Sequence, residues 1–400
     1  MLNINSGRHF LQIPGPTNVP NRILNAINKP TIDHRGPEFK KLILELLQEI
    51  KKIFKTKNPV IIYSSSGTGA WEAALVNTHS PGDKTLMYDT GYFANTWKKL
   101  AIKLGLEVQI IAGDWRHGTE SEKIEQILKE DRGNEIKSVC IVHNETSTGI
   151  TSNIPKIRKV IDSTGHRALL IVDTISSLAS IDYEHDKWGV DVTIGGSQKG
   201  LMLPPGLSFN AVSEKALKFS KKAKFCRSYW DWQEMINSND DGLFPYTPST
   251  NLLFGLKESI HMLLDEGLEN VFLRHLHLAE ATRTAVKSWG LEINALNPDE
   301  YSNSLTTVLF SEGFKADNFR KIVLENFNVS LGNGLGRLNQ KAFRIGHLGY
   351  FNEPMLIGTL GAIEMGLEIF KIPISNSGTR SAIEYLFLKS HELVSLHLNP

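Results

Sequence analysis

Cysteine is nearly missing from this chain of 400 residues: Cys140 and Cys226 are the only two, so neither a disulfide framework nor a four-thiolate metal site is available. Cys140 lies in the apolar run Ser138-Val139-Cys140-Ile141-Val142 and reads as core. Net charge is equally scarce. A balance of +1 provides no global field to attract nucleic acid or an anionic membrane, so neither is expected as a partner. The local run Lys221-Lys222-Ala223-Lys224 reads as a solvated helix face. No stretch approaches the roughly 18 continuous apolar residues of a membrane-spanning helix. Met1-Leu2-Asn3-Ile4-Asn5 has no basic start followed by an apolar segment, so no secretory leader is expected. Repeats and low-complexity tracts are absent as well. These absences point to a cytoplasmic enzyme.

Apolar residues are plentiful, at 41%, and the length suits a large unit plus a smaller one. Short apolar runs recur at Val60–Tyr63, Thr85–Tyr88, Val108–Ile111, Val139–Val142, Leu169–Val172 and Val192–Ile194. Amphipathic stretches such as Ile124 to Lys129 and Ile154 to Ile161 separate them. Runs apolar on both faces and alternating with helices predict an α/β fold with a mostly parallel central sheet covered on both sides. After about residue 270 the rhythm changes to a helical 269–289, runs at 306–310 and 341–345, and closing helices, which predicts a smaller α+β unit. Ile13-Pro14-Gly15-Pro16-Thr17-Asn18-Val19-Pro20 is too rich in proline and glycine for regular structure. The expected division is therefore an extended arm over 1–30, a large cofactor-binding domain over 31–270 and a small C-terminal domain over 271–400. The arm is expected to lie across the small domain or a second subunit.

Three strand ends carry the chemistry. In Asp191-Val192-Thr193-Ile194-Gly195-Gly196-Ser197-Gln198-Lys199-Gly200 a strand runs into glycines and small polar residues, then a lysine, where open α/β sheets bind ligands. A lone lysine there is ordinarily a surface residue. Here Gly195, Gly196 and Gly200 are read as clearing space around the amine, and Ser197 and Gln198 as groups for a phosphate. Asp173 closes the apolar run Ala168 to Val172. Its carboxylate either caps the next element or meets a buried cation such as a pyridinium nitrogen. Ser64-Ser65-Ser66-Gly67-Thr68-Gly69 follows the first run and suits an anion at a helix start, although a plain turn has the same composition. It is no Walker loop, and the G-x-G-x-x-G spacing is absent. His143-Asn144-Glu145-Thr146 gathers hydrogen-bonding groups at another strand end, with no second ligand set that would make it a metal site. Phe93, after Asp89-Thr90-Gly91-Tyr92, is either core or a flat surface for a ring.

Over nearly its whole length the chain resembles the class V, fold-type I aminotransferases, in particular the serine–glyoxylate and alanine–glyoxylate group. The resemblance rests on Ile13-Pro14-Gly15-Pro16-Thr17, Asp33-His34-Arg35-Gly36-Pro37, Ser66-Gly67-Thr68-Gly69-Ala70-Trp71-Glu72 and His143-Asn144-Glu145-Thr146. It continues in Gly196-Ser197-Gln198-Lys199-Gly200, Pro245-Tyr246-Thr247-Pro248 and Phe343-Arg344-Ile345-Gly346-His347-Leu348-Gly349. It implies pyridoxal 5'-phosphate as cofactor, bound as a Schiff base by Lys199, with Asp173 on the ring nitrogen. It further implies a phosphate cradle of Ser66, Gly67, Thr68 and Gln198, a stacking Phe93, and a Thr146 hydroxyl near the phenolic oxygen. Thr247, with Tyr246, would reach the phosphate of a neighbouring subunit, which implies a homodimer with shared sites. Arg344 would hold the substrate carboxylate in a planar fork, and His34 and Arg35 would enter the partner's substrate pocket.

The implied reaction moves an amino group from a small amino acid, first of all L-serine, to glyoxylate. Alanine and aspartate are the alternative donors. Two readings compete from further away. Cysteine desulfuration would need a mobile nucleophilic cysteine, and a non-enzymatic α/β ligand-binding protein would need no amine aimed at a carbonyl.

Overall fold

The computed structural model describes residues 7–398, with side chains described through residue 389. Met1–Asn5, read above for a leader, and the last two residues of the expected C-terminal domain lie outside the described residues. The central sheet has seven strands in the order Val60–Tyr63, Ser208–Val212, Val192–Gly196, Leu169–Asp173, Ile136–Val142, Lys84–Tyr88 and Glu107–Ile111. Only Ser208–Val212 runs antiparallel to its neighbours. The sequence reading did not include that strand.

Alternate residues of the inner strands serve opposite faces. Leu169 and Ile171 pack in one apolar cluster, while Leu170 and Val172 pack in another across the sheet. Helices cover both faces because each has an apolar stripe. Pro37–Phe54, for example, buries Phe39, Leu42, Ile43, Leu46 and Ile50 at helical spacing. The run 108–111 departs from the expectation of burial on both faces. Glu107–Ile111 is one of the two edge strands, and in it Gln109 and Ile110 are exposed and Ile111 alone is buried. The opposite edge strand, Val60–Tyr63, is buried throughout, so the difference lies in how far each edge is covered by other elements.

A second sheet of five strands has the order Phe10–Gln12, Val329–Asn333, Ala342–Gly346, Leu305–Leu309 and Glu292–Ile293. Phe10–Gln12 joins it in parallel with Val329–Leu331, so the arm adds a strand to this sheet. Residues 13–20 lack regular structure, whereas Asn21–Ile27, within the expected extended arm, form a helix. The arm thus passes from the smaller sheet to the strand ends of the larger one. Among the described residues, no helix is long and apolar enough to cross a membrane.

Candidate active site

Strand Val192–Gly196 delivers Lys199 three residues beyond its end, into a cavity of about 250 Å³. The lysine is only 7% exposed. Burial, then the charge of Arg344, depresses its ammonium form to a pKa of about 7, against the pull of Asp173 and Glu145. Its Nζ donates to the carbonyl of Pro14, which the arm lays over it. The arm is anchored there by the Thr17 N–H on the Gln198 carbonyl at 3.1 Å and the Thr17 hydroxyl on the Lys199 carbonyl at 3.3 Å.

The glycines around Lys199 act differently from the sequence reading. A Cβ on Gly200 would lie 2.2 Å from the Leu178 carbonyl oxygen, so this glycine admits neighbouring backbone, and Gly195 faces Leu178 and Phe54. Ser197 is likewise structural: its hydroxyl donates to the Pro204 carbonyl at 2.9 Å and accepts from the Leu207 N–H at 3.2 Å. The residue that clears space beside the amine is Gly15. Its φ is +106°, and a Cβ there would sit 2.4–2.8 Å from the last three atoms of the Lys199 side chain. Gly15→Ala is therefore expected to displace either the arm or the amine. A shift of about 1 Å at a reacting group costs on the order of 100-fold in rate. Comparison of kcat/KM with the fraction of lysine trapped by borohydride tests this, and a variant within twofold of wild type on both would remove the arm from the positioning of Lys199.

Asp173 ends strand Leu169–Asp173 and is 4% exposed. One carboxylate oxygen accepts from the Trp71 indole N–H at 2.9 Å, the other from the Ile175 N–H at 2.7 Å. Burial still raises its pKa to about 7, with the Glu145 charge adding to the effect. A buried carboxylate with neutral donors and no bonded cation suits a protonated ring nitrogen.

Ser66, Gly67 and Thr68 stand at the start of helix Gly67–Thr78 and line the same cavity. The Ser66 hydroxyl makes no capping bond, which leaves it and the Gly67 and Thr68 N–H groups available to an anion, while the Gly69 N–H is bonded to the Ser66 carbonyl at 2.9 Å. Gln198 lines the cavity, and its Oε1 is buried without a protein partner among the described residues. Phe93 and Thr146 complete the lining from two further strand ends. The structure thus brings Ser66, Gly67, Thr68, Phe93, Thr146, Asp173, Gln198 and Lys199 together. The Ser66 and Thr68 hydroxyls and the Gln198 NH₂ can donate to a phosphate, and the Asp173 carboxylate can accept from a pyridinium N–H.

Several wall residues were not legible as such. Trp71, one helical turn after Gly67, lines the cavity, holds Asp173 and stacks on Trp97 at 5.8 Å. Glu145 is fully buried and accepts from the N–H groups of Phe93 at 3.3 Å and Ala94 at 3.0 Å, which fixes the helix that carries Phe93. The sequence signal for both was membership of a quoted motif, with no role attached. His143, read beside Glu145, bonds Ser177 at 2.9 Å and packs against Tyr183 and Trp188.

Arg344, His34, Arg35, Tyr246 and Thr247 do not line the cavity in the single chain. Arg344 comes nearest. From strand Ala342–Gly346 it donates Nε to the Asn333 carbonyl at 2.7 Å and Nη1 to the Thr146 carbonyl at 2.8 Å, leaving Nη2 without a protein acceptor among the described residues. Burial lowers its pKa to about 10, which leaves it a cation at neutral pH. His34 and Arg35 pair with each other at 2.7 Å on a loop before helix Pro37–Phe54. Tyr246 stacks on Tyr229 with ring centres 4.1 Å apart, and Thr247 beside it is exposed. Their loop adjoins the turn before helix Gly67–Thr78 through Ser249 N–H to the Ser64 hydroxyl at 3.0 Å. Cys140 is buried, with its thiol pushed up to about 11, and Cys226 is exposed and outside the cavity. Among the described residues, no group of His, Cys, Asp and Glu could hold a metal ion.

Residues 9–337 match the family model "Aminotransferase class-V". The chain is 44% identical over 387 residues to the serine–glyoxylate aminotransferase of Methylorubrum extorquens, covering 95% of this chain and 96% of that one. It is 41% identical to the L-aspartate–glyoxylate aminotransferase of Paracoccus denitrificans, over 93% and 95% of the two chains. Among solved structures, an alanine–glyoxylate aminotransferase from Nostoc sp. superposes with a TM-score of 0.85 at 28% identity, over 92% of this chain and 97% of that one.

Proposed function

Because the chain belongs to the class-V aminotransferases, with their fold-type I architecture, we propose that it moves the amino group of L-serine to glyoxylate, with pyridoxal 5'-phosphate bound at Lys199. The observation that carries this reading is one buried amine, Lys199, sharing a small cavity with one buried carboxylate, Asp173. Bound between them, the cofactor supplies an electron-withdrawing ring that acidifies the α-hydrogen of an amino acid and carries the amino group from donor to acceptor.

The remaining work belongs to the chain. Asp173 keeps the ring nitrogen protonated, and Trp71 and the Ile175 N–H aim its carboxylate. Ser66, Gly67, Thr68 and Gln198 would hold the phosphate, Phe93 would offer a flat apolar surface to the ring, and the Thr146 hydroxyl would offer a hydrogen bond to a ring substituent. Nζ of Lys199, neutral above pH 7 in this site, accepts the α-proton of the donor and returns it elsewhere, which is general base and then general acid catalysis. Arg344 offers the free side of its guanidinium to the substrate carboxylate, and the carbonyls of Asn333 and Thr146 hold its plane. Tyr246, Thr247, His34 and Arg35 act in the site of a second copy, so the working unit is a homodimer.

Serine is favoured by the relatives at 40–45% identity named for it. Aspartate is the second reading, favoured by the relative at 41%. A steady-state matrix of serine, alanine and aspartate against glyoxylate, pyruvate and 2-oxoglutarate separates them. Serine with glyoxylate is expected to exceed the other pairs in kcat/KM by about tenfold or more, the scale on which one small side-chain difference is discriminated. Aspartate in first place would establish the second reading, and no turnover of glyoxylate would remove this acceptor altogether.

A further inference from the structure

A second cavity, of about 720 Å³, opens at the far end of the central sheet from Lys199. Asp83, Ile136 and Arg167 line it where strands Lys84–Tyr88, Ile136–Val142 and Leu169–Asp173 begin, whereas the residues around Lys199 sit where such strands finish. Helix Glu214–Ser220 and the turn after it supply the opposite wall.

The lining holds five cationic side chains, Lys137, Arg167, Lys215, Lys218 and Lys222, against one carboxylate, Asp83. In a chain of net charge +1 that is a strong local excess. Asp83 is engaged with the Ser80 N–H at 2.7 Å. Lys215 reaches the Ala168 carbonyl at 2.8 Å and Asp191 at 3.5 Å, and Lys137 reaches only the Asn134 carbonyl at 3.2 Å. Arg167, Lys218 and Lys222 belong to no ion pair among the described residues, whereas Lys215 beside them is paired with Asp191. Lys218 stands three residues after Lys215 on helix Glu214–Ser220, a spacing at which like charges repel, and Lys222 follows in the turn beyond the helix end. An anion among them removes that repulsion. Phe219, half-buried between these lysines, adds one flat apolar wall. The run Lys221-Lys222-Ala223-Lys224, read above as a solvated face, therefore contributes to a concave site.

We propose that this basin binds a nucleoside polyphosphate, with the phosphates among Arg167, Lys218 and Lys222 and the base against Phe219. Its volume lies within the range of small-ligand sites, and convergent cations beside an aromatic wall match phosphates joined to a planar ring. The site is separate from the amino-transfer chemistry.

Calorimetric titration of the cofactor-loaded enzyme with ATP, tripolyphosphate and adenosine tests the proposal, because the loaded enzyme has its phosphate cradle filled. ATP is expected to saturate one site per chain, to bind more tightly than tripolyphosphate, and to weaken steeply between about 50 and 300 mM salt as screening shortens the reach of the charges. The double variant Lys218→Glu, Lys222→Glu should weaken ATP at least tenfold, and Arg167→Ala alone severalfold, with transamination within twofold of wild type in both. Phe219→Ala should erase the preference for ATP over tripolyphosphate. Absence of ATP binding at millimolar concentration, or binding unchanged in the double variant and in Arg167→Ala, overturns the site. Tripolyphosphate binding as tightly as ATP overturns the nucleoside assignment.

Discussion

Replacement of Lys199 by alanine is expected to end transamination: kcat should fall by at least about 1,000-fold, within the range that a positioned proton-transfer group contributes. The prediction has two independent parts. Lys199 carries the only side-chain primary amine lining the cavity, whose other polar groups are hydroxyls, amides, an indole N–H and the Asp173 carboxylate, so borohydride should no longer trap cofactor on the protein. The same amine moves the α-proton, so a small added amine such as ethylamine should restore part of the rate without restoring the trapped linkage. Turnover near wild type in the variant would exclude Lys199 from both roles. The wild-type amine also predicts a pH dependence. Burial lowers it to about 7, so its reactive neutral form grows as pH rises from 6 to 8. Reconstitution of cofactor-free protein should accelerate over that interval, whereas an exposed lysine would remain almost wholly protonated throughout.

Asp173→Asn should produce the second largest loss, on the order of 100- to 1,000-fold in kcat, with a stability change of opposite sign. An amide cannot hold a proton on a ring nitrogen, so the ring loses most of its capacity to draw electrons from the α-carbon. In the cofactor-free protein the same substitution removes a buried charge. Burial raises the Asp173 carboxyl to about 7, well above the value near 4 of an unfolded chain. Between those values the folded protein retains a proton that the unfolded chain has released. Wild-type stability from this group therefore falls as pH rises through that window. Asparagine does not titrate, so the stability of the variant relative to wild type should improve from pH 5 to pH 8 by on the order of 2 kcal/mol. The amide also turns an NH₂ toward either the Trp71 or the Ile175 N–H, a loss of about 1 kcal/mol that is the same at every pH. Urea unfolding of both cofactor-free proteins at the two pH values separates the contributions. A relative stability that does not change with pH would mean that Asp173 is not a buried charge, and undiminished kcat would remove it from the ring nitrogen.

Much of this was legible in sequence because it is local. A strand covered on both faces must be apolar throughout, so Leu169 to Val172 and Val192 to Ile194 announce themselves, and the polar residues that end them mark the binding edge. Asp173, Lys199 and the Ser66–Thr68 turn are read that way. Ser208–Val212 escaped notice because Ser208 and Asn210 break the apolar run, and their polarity is satisfied only in the fold. Ser208 bonds Ser65 at 2.7 Å, and the Asn210 amide reaches the Ala70 carbonyl at 3.2 Å.

By itself, then, the sequence determined the layered α/β architecture, the strand ends that carry Lys199 and Asp173, and the aminotransferase family. The tertiary structure decided what surrounds them. Pro14 lies 185 positions from the lysine whose amine it receives, Trp71 lies 102 from Asp173, and Thr146 lies 198 from the arginine it orients. No periodicity or local spacing encodes contacts at such separations. They arise when the arm, the sheet and the smaller unit pack together, and the resulting burial brings the lysine and the aspartate both to a pKa of about 7. Lysine and aspartate occur throughout the chain, and desolvation by distant segments turns this pair into a reactive amine and a carboxylate in need of a cation.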